Sequence, residues 1–116
     1  QNEFLLAQEP DGSWELLGGS LEFGEDMFEC LEREIDEEAG LKVVHIDTKP
    51  VYTTTFLNDR GNWGANVLFV TEIENLNFKE SDECVDLQFF TKERASTEKL
   101  LPNVEAFLKV FKSEDF

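Results

Sequence analysis

The stretch Gly19-Ser-Leu-Glu-Phe-Gly-Glu-Asp-Met-Phe-Glu-Cys-Leu-Glu-Arg-Glu-Ile-Asp-Glu-Glu-Ala-Gly40-Leu41 decides how this chain is read. Phe28, Leu31, Ile35 and Ala39 recur at spacings of three and four, the period of one apolar helix stripe that buries against a sheet. Glu25 and Asp26 stand in the expected first turn, where acids favour the positive end of the helix dipole. Gly40 follows the last apolar position as a left-handed cap would. The pattern predicts a helix from about Asp26 to Ala39. Beside the apolar stripe, Glu34, Glu37 and Glu38 project in roughly one direction, because residues three and four apart share a helix face. Like charges so placed repel each other, and a hard divalent cation would turn that cost into ligation. Magnesium and manganese, which take oxygen ligands and keep several waters, suit such a face. A solvated acidic surface needs only polarity. This stretch also fixes Gly19 and Gly40, an arginine and a register of acids.

Outward from that helix, the 116 residues suit one domain over 1–116, with no shift of composition, linker or internal repeat to divide them. The apolar runs fall far short of the roughly 20 residues that span a bilayer, and no basic-apolar leader opens the sequence. A cytoplasmic protein is expected. Cys30 and Cys84 have no metal-ligand spacing and are expected to be reduced thiols, Cys30 as a small buried hydrophobe. A formal net charge of −16 argues against a nucleic-acid duplex or an anionic membrane as partner. It attracts cations, and a phosphorylated substrate would need metal to neutralise the carboxylates first.

Strands are expected at Glu3 to Gln8, Ser13 to Leu16, Leu41 to His45, Val51 to Leu57, Ala65 to Glu72 and Cys84 to Phe90. Turns are expected at Asp11-Gly12 and from Asn58 to Asn62, and Glu74 to Glu83 reads as a polar loop. After Pro102, the apolar residues Val104, Phe107, Leu108 and Phe111 predict a second helix over Asn103 to Lys112. Strands grouped around two helices imply a mixed sheet covered by helices.

No Ser/His/Asp set, Cys/His pair, Walker loop or dinucleotide glycine fingerprint competes with the acidic helix. Gly19, Glu25, Arg33, Glu34, Ile35, Glu37, Glu38, Gly40 and Leu41 fill every fixed position of a pattern that resembles the Nudix box. That resemblance implies an α/β fold, specifically an α/β/α sandwich with a mixed β-sheet, whose usual first strand would precede this sequence. It further implies Glu34, Glu37 and Glu38 as metal ligands, joined by the backbone carbonyl of Gly18. Arg33 would orient the acids by a bidentate fork, with Glu25 its expected partner. Family members also use a glutamate from a later loop. Glu83 occupies that neighbourhood, with Glu80 and Asp82 as alternatives, and the general base stays divided between Glu37 and Glu83. The family commonly has proline where this chain has Leu17, which leaves the turn before Gly18 freer.

Tyr52, Phe56 and Trp63 are candidates to stack on a substrate base, although core packing explains each as well. His45 is read as structural or exposed. The expected activity is that of a magnesium- or manganese-dependent pyrophosphohydrolase, which uses water to split the P–O–P bridge of a nucleoside diphosphate linked to another moiety. A (d)NTP-like substrate is favoured over ADP-ribose, nucleotide sugars, dinucleoside polyphosphates and capped RNA. The partner would be a small nucleotide, and a homodimer is compatible with the resemblance. Two rivals remain at this stage. One is a nucleotide-sensing module that keeps the fold without hydrolysis. The other is a calcium-binding protein, against which the missing EF-hand spacing argues.

Overall fold

The computed structural model describes residues 2–19 and 22–116. Ser20 and Leu21, in the spacer between Gly19 and Glu25, lie outside them. Strand β1 (Glu3–Gln8) runs between β2 (Trp14–Glu15) and β7 (Asp86–Thr91), antiparallel to both. Because successive strand residues face opposite ways, β1 serves two cores. Leu6 joins Trp14, Phe90, Val104, Phe107 and Phe111 beneath helix α3 (Pro102–Val110). Ala7 joins Ile35, Ala39, Leu41 and Cys84 beneath helix α1 (Met27–Ala39). Helix, sheet and helix thus form the layers expected of the α/β/α sandwich.

The caps of α1 explain its limits. Asp26 accepts from the Glu29 amide at 2.8 Å, and the Glu29 carboxylate accepts from the Asp26 amide at 3.0 Å, a reciprocal capping box. Asp26 is therefore the cap, and the helix proper begins one residue later than expected. At the other end Gly40 adopts φ +66° and donates to the Asp36 carbonyl at 2.8 Å, a conformation that favours glycine.

The remaining strands pair as β3 (Val43–Ile46) with β6 (Thr71–Ile73) and β4 (Tyr52–Leu57) with β5 (Trp63–Leu68), both antiparallel. The single strand expected over Ala65 to Glu72 is thus two. Pro50 separates β3 from β4, so a segment that follows both must change ladders, and it does so between Leu68 and Thr71. Parallel pairing among the described residues is confined to a bridge between Trp14 and Leu100. The expected mixed sheet is accordingly divided into three sheets, one of three strands and two of two. Sequence periodicity also missed helix α2 (Lys92–Ala95), a single turn capped by Thr91 that is too short to leave a periodic signal. No helix among the described residues is long and apolar enough to cross a membrane.

Candidate active site

Helix α1 carries two groups of acids that differ in surroundings. The first gathers around Arg33. Its Nε and one terminal nitrogen grip the two oxygens of Glu25 at 2.7 and 3.0 Å. The other terminal nitrogen donates to Glu34 at 2.7 Å and to Glu37 at 3.1 Å, and lies 3.7 Å from Glu22. The fork between Arg33 and Glu25 holds Glu25 well below the ordinary carboxylate range, at about 2, mainly through the Arg33 hydrogen bonds. The guanidinium is in turn pushed up by Glu25 and Glu34. Close packing positions Glu34 as well. A Cβ on Gly19 would stand 2.5 Å from its carboxylate, so any larger residue there would push the Glu34 side chain aside.

The second group forms where α1 meets the sheet. Glu38 shares the buried face with Ile35 and Ala39 and is only 4% exposed. The Gly18 amide donates to its carboxylate at 3.1 Å. Residues 76–84 cross the end of α1 by using carbonyls that a helix terminus leaves free. The Lys79 amide donates to the Ala39 carbonyl at 2.8 Å, and the Ser81 hydroxyl donates to the Glu38 carbonyl at 2.6 Å. Ser81 Oγ then accepts from the Glu83 amide at 3.1 Å, which delivers Glu83 to Glu38.

A third carboxylate arrives from β2. Trp14 is buried on the α3 side, edge-on to Phe90 at 4.7 Å, with its indole N–H donated to Glu98 at 3.2 Å. Strand alternation sends the next side chain, Glu15, to the α1 side. Carboxylate oxygens of Glu15, Glu38 and Glu83 lie within 4.8 Å of one another. Burial first, and neighbouring acids second, push Glu38 up to about 8 despite the Gly18 hydrogen bond. Burial pushes Glu15 up to about 9, aided by a hydrogen bond with Glu9 and by the charges of Glu38 and Glu83. Such crowding is the environment in which a divalent cation replaces protons.

Of the residues singled out from the sequence, Glu38 and Glu83 converge with the glycine turn, whereas Glu34 and Glu37 turn to Arg33. The common direction expected for the three helix acids is therefore not observed. Arg33 is the strongest cation within their reach and draws two of them aside. Gly18 meets Glu38 through its N–H. Sequence reasoning passed over Glu15, although its place after a large aromatic strand residue and just before Gly18-Gly19 was a usable signal.

The aromatic candidates lie apart from one another. Tyr52 is held by its own chain: its hydroxyl accepts from the Lys112 amide at 3.0 Å and bonds to Asp115, and its ring meets Phe107 and Phe116 edge-on. Phe56 lies over Gly64, where a Cβ would come within 2.7 Å of the ring. Trp63 is 75% exposed on the outer face of the hairpin. His45 is exposed beside Asp47, and both cysteines are free and buried.

Similarities to known proteins agree with this geometry. The family model described as NUDIX domain matches residues 1–111. The chain is 41% identical over 49 residues to the NAD-capped RNA hydrolase NudC of Vibrio parahaemolyticus, a match covering 40% of this chain and 19% of that protein. It is 51% identical over 45 residues to the human 8-oxo-dGDP phosphatase NUDT18, covering 35% of this chain and 14% of that one. The matched segments span less than a fifth of these curated relatives. Among solved structures, the E. coli ORF135 protein superposes with a TM-score of 0.70 at 24% identity, over 94% of this chain and 81% of the other. A UDP-X diphosphatase superposes with a TM-score of 0.57 at 26% identity, over 96% and 52%. A family match over nearly the whole chain, on a fold whose glycine turn and acidic helix meet at one site, makes this chain a member of the NUDIX domain family.

Proposed function

We propose that the chain is a divalent-metal-dependent pyrophosphohydrolase that uses water to split the P–O–P bridge of a nucleoside diphosphate linked to another group, with (d)NTP-like substrates favoured. The observation that carries this reading is the convergence of Glu15, Glu38 and Glu83 beside the glycine turn. Their donor atoms are all hard carboxylate oxygens, and no lysine or arginine forms an ion pair with any of the three among the described residues. That chemistry fits magnesium or manganese and does not fit a soft metal. Glu38 and Glu83, supported by Glu15 and by the Gly18 carbonyl, would hold the cation. Glu34 and Glu37 would complete the set by turning from Arg33. When bound, the cation neutralises phosphate oxygens and makes bound water more acidic.

The side chains supply the rest of the mechanism. Arg33 keeps Glu25 in place by its planar fork and holds Glu34 and Glu37 close to the site by single hydrogen bonds, from which they are released when the cation binds. Glu83 or Glu37 accepts the proton of the attacking water. Both are exposed, whereas Glu38 and Glu15 are enclosed. The relatives' names support the substrate class: 8-oxo-dGDP, UDP-X and NAD-capped RNA all contain a nucleoside that carries a P–O–P linkage. Free buried thiols and the absence of a long apolar helix among the described residues are compatible with a cytoplasmic location.

The test is a panel of nucleoside triphosphates, nucleotide sugars and dinucleotides incubated with magnesium or with chelator, with phosphate counted after coupling to a phosphatase. Magnesium-dependent release from at least one compound is expected. Release from none, with either magnesium or manganese present, would overturn the reading.

A further inference from the structure

We propose that Thr54 and Asn66, facing each other across the β4–β5 hairpin, read the base of the substrate through an edge that carries a hydrogen-bond donor and acceptor side by side. This rests on the nucleotide reading above and names the part of the substrate that lies away from the phosphates. The two residues are directly paired in register. Both belong to the inward face of the hairpin, because Tyr52, Thr54 and Phe56 alternate with the exposed Thr53, Thr55 and Leu57.

Thr54 is 8% exposed, and neither its hydroxyl oxygen nor the Asn66 amide oxygen has a hydrogen-bond partner among the described residues. Buried polar atoms are nearly always satisfied in folded proteins, since an unmade hydrogen bond costs the full desolvation of the group. Two such atoms on adjacent strands concentrate that cost at one place. A valine and a leucine would have filled the same positions without it. A ligand that supplies both missing partners is the economical explanation.

The surroundings name the ligand class. Phe56, two residues along the same face, packs its ring tip against Gly64 and offers a positioned ring. Tyr52, two residues the other way, is anchored by Lys112 and Asp115. A polar pair between aromatic residues suits a planar heterocycle that stacks on a ring and presents a polar edge. A hydroxyl donates or accepts, and an amide does both from its two ends, which matches the adjoining donor and acceptor groups of a nucleobase. Asn66 is only half-buried, so the pair is not sealed in the core.

The experiment compares Thr54→Val, Asn66→Leu and the double variant with the parent protein, with Thr54→Ser as the conservative control. Three readouts are taken: the thermal midpoint, KM and kcat for triphosphates of the four common bases with magnesium, and calorimetric titration with the matching nucleoside monophosphates. The expected result is a midpoint unchanged or raised in the double variant. For at least one base, KM should rise about tenfold, more than any fall in kcat, with monophosphate binding weakened in parallel and Thr54→Ser close to the parent. A lowered midpoint with KM and monophosphate binding unchanged would assign the pair to a structural water and overturn the proposal. Should the parent cleave no triphosphate, the hydrolytic reading fails on its own. Titration then decides this inference separately: monophosphate binding lost in the double variant upholds it, and binding that is absent from the parent or unaltered in the variant overturns it.

Discussion

Arg33 and Glu38 lie little more than one turn apart on α1, yet the acids around them meet opposite conditions. Around Arg33, Glu25, Glu34 and Glu37 share one guanidinium at 2.7 to 3.1 Å. Around Glu38, three carboxylates crowd together, two of them pushed far above their usual range. The difference teaches that one acidic helix can hold a self-compensated half and an uncompensated half. Compensation makes the first half a scaffold that needs no ligand, whereas crowding makes the second half a receptor for added positive charge.

The sharpest way to break this contrast is Glu38→Gln. It removes the enclosed charge while keeping shape and the Gly18 hydrogen bond, so turnover with magnesium should fall at least about a hundredfold with folding intact by circular dichroism. Undiminished turnover would show that the uncompensated half has no part in the chemistry. Arg33→Lys tests the other half. Lysine keeps the charge but loses the planar fork, and a loss of about ten- to a hundredfold in kcat/KM is expected, as for a group that orients ligands.

The pH dependence of stability separates the two halves next. The Glu38 carboxyl, raised from its ordinary value of 4.5 to about 8, holds its proton more tightly in the folded chain. Its contribution to stability is therefore complete below pH 4.5 and is lost as pH rises through 8. Glu15, raised to about 9, acts in the same direction. Glu25 has the opposite sign: lowered to about 2 by Arg33, its contribution is present above the unfolded value and disappears in acid. In chelator, the thermal midpoint should decline between about pH 5 and pH 8, and magnesium should raise it most at the upper end. A midpoint that rises over that range and ignores magnesium would contradict the assignment. The smallest effect is expected far from both halves. Trp63→Ser at the exposed end of the hairpin should move stability by less than about 0.5 kcal/mol in a denaturant titration.

Much of this molecule was legible in its residues. The apolar period of α1, the acids at its start and Gly40 at its end predicted a helix whose observed limits differ by a residue. The pairing of Arg33 with Glu25 was implied by the resemblance to the Nudix box and is present in the fold. Legibility failed where partners are remote in sequence. The expected strand from Ala65 to Glu72 has uniform β character, and only the separation of β3 from β4 tells it to change ladders. Glu15 escaped notice because its position beside Trp14 and the glycines is only a weak local signal, and its neighbours Glu38 and Glu83 come from elsewhere.

By itself the sequence determined helix α1, most of the strands and the acidic character of the helix, because helix periodicity, capping and carboxylate spacing are local properties of a chain. Tertiary structure alone decided which acids meet. Burial against the sheet turned Glu38 inward, Arg33 drew Glu34 and Glu37 aside, and a loop hung on the carbonyl end of α1 brought Glu83 across. Those outcomes depend on competition for partners in three dimensions, where desolvation and charge act over distances that residue order does not encode.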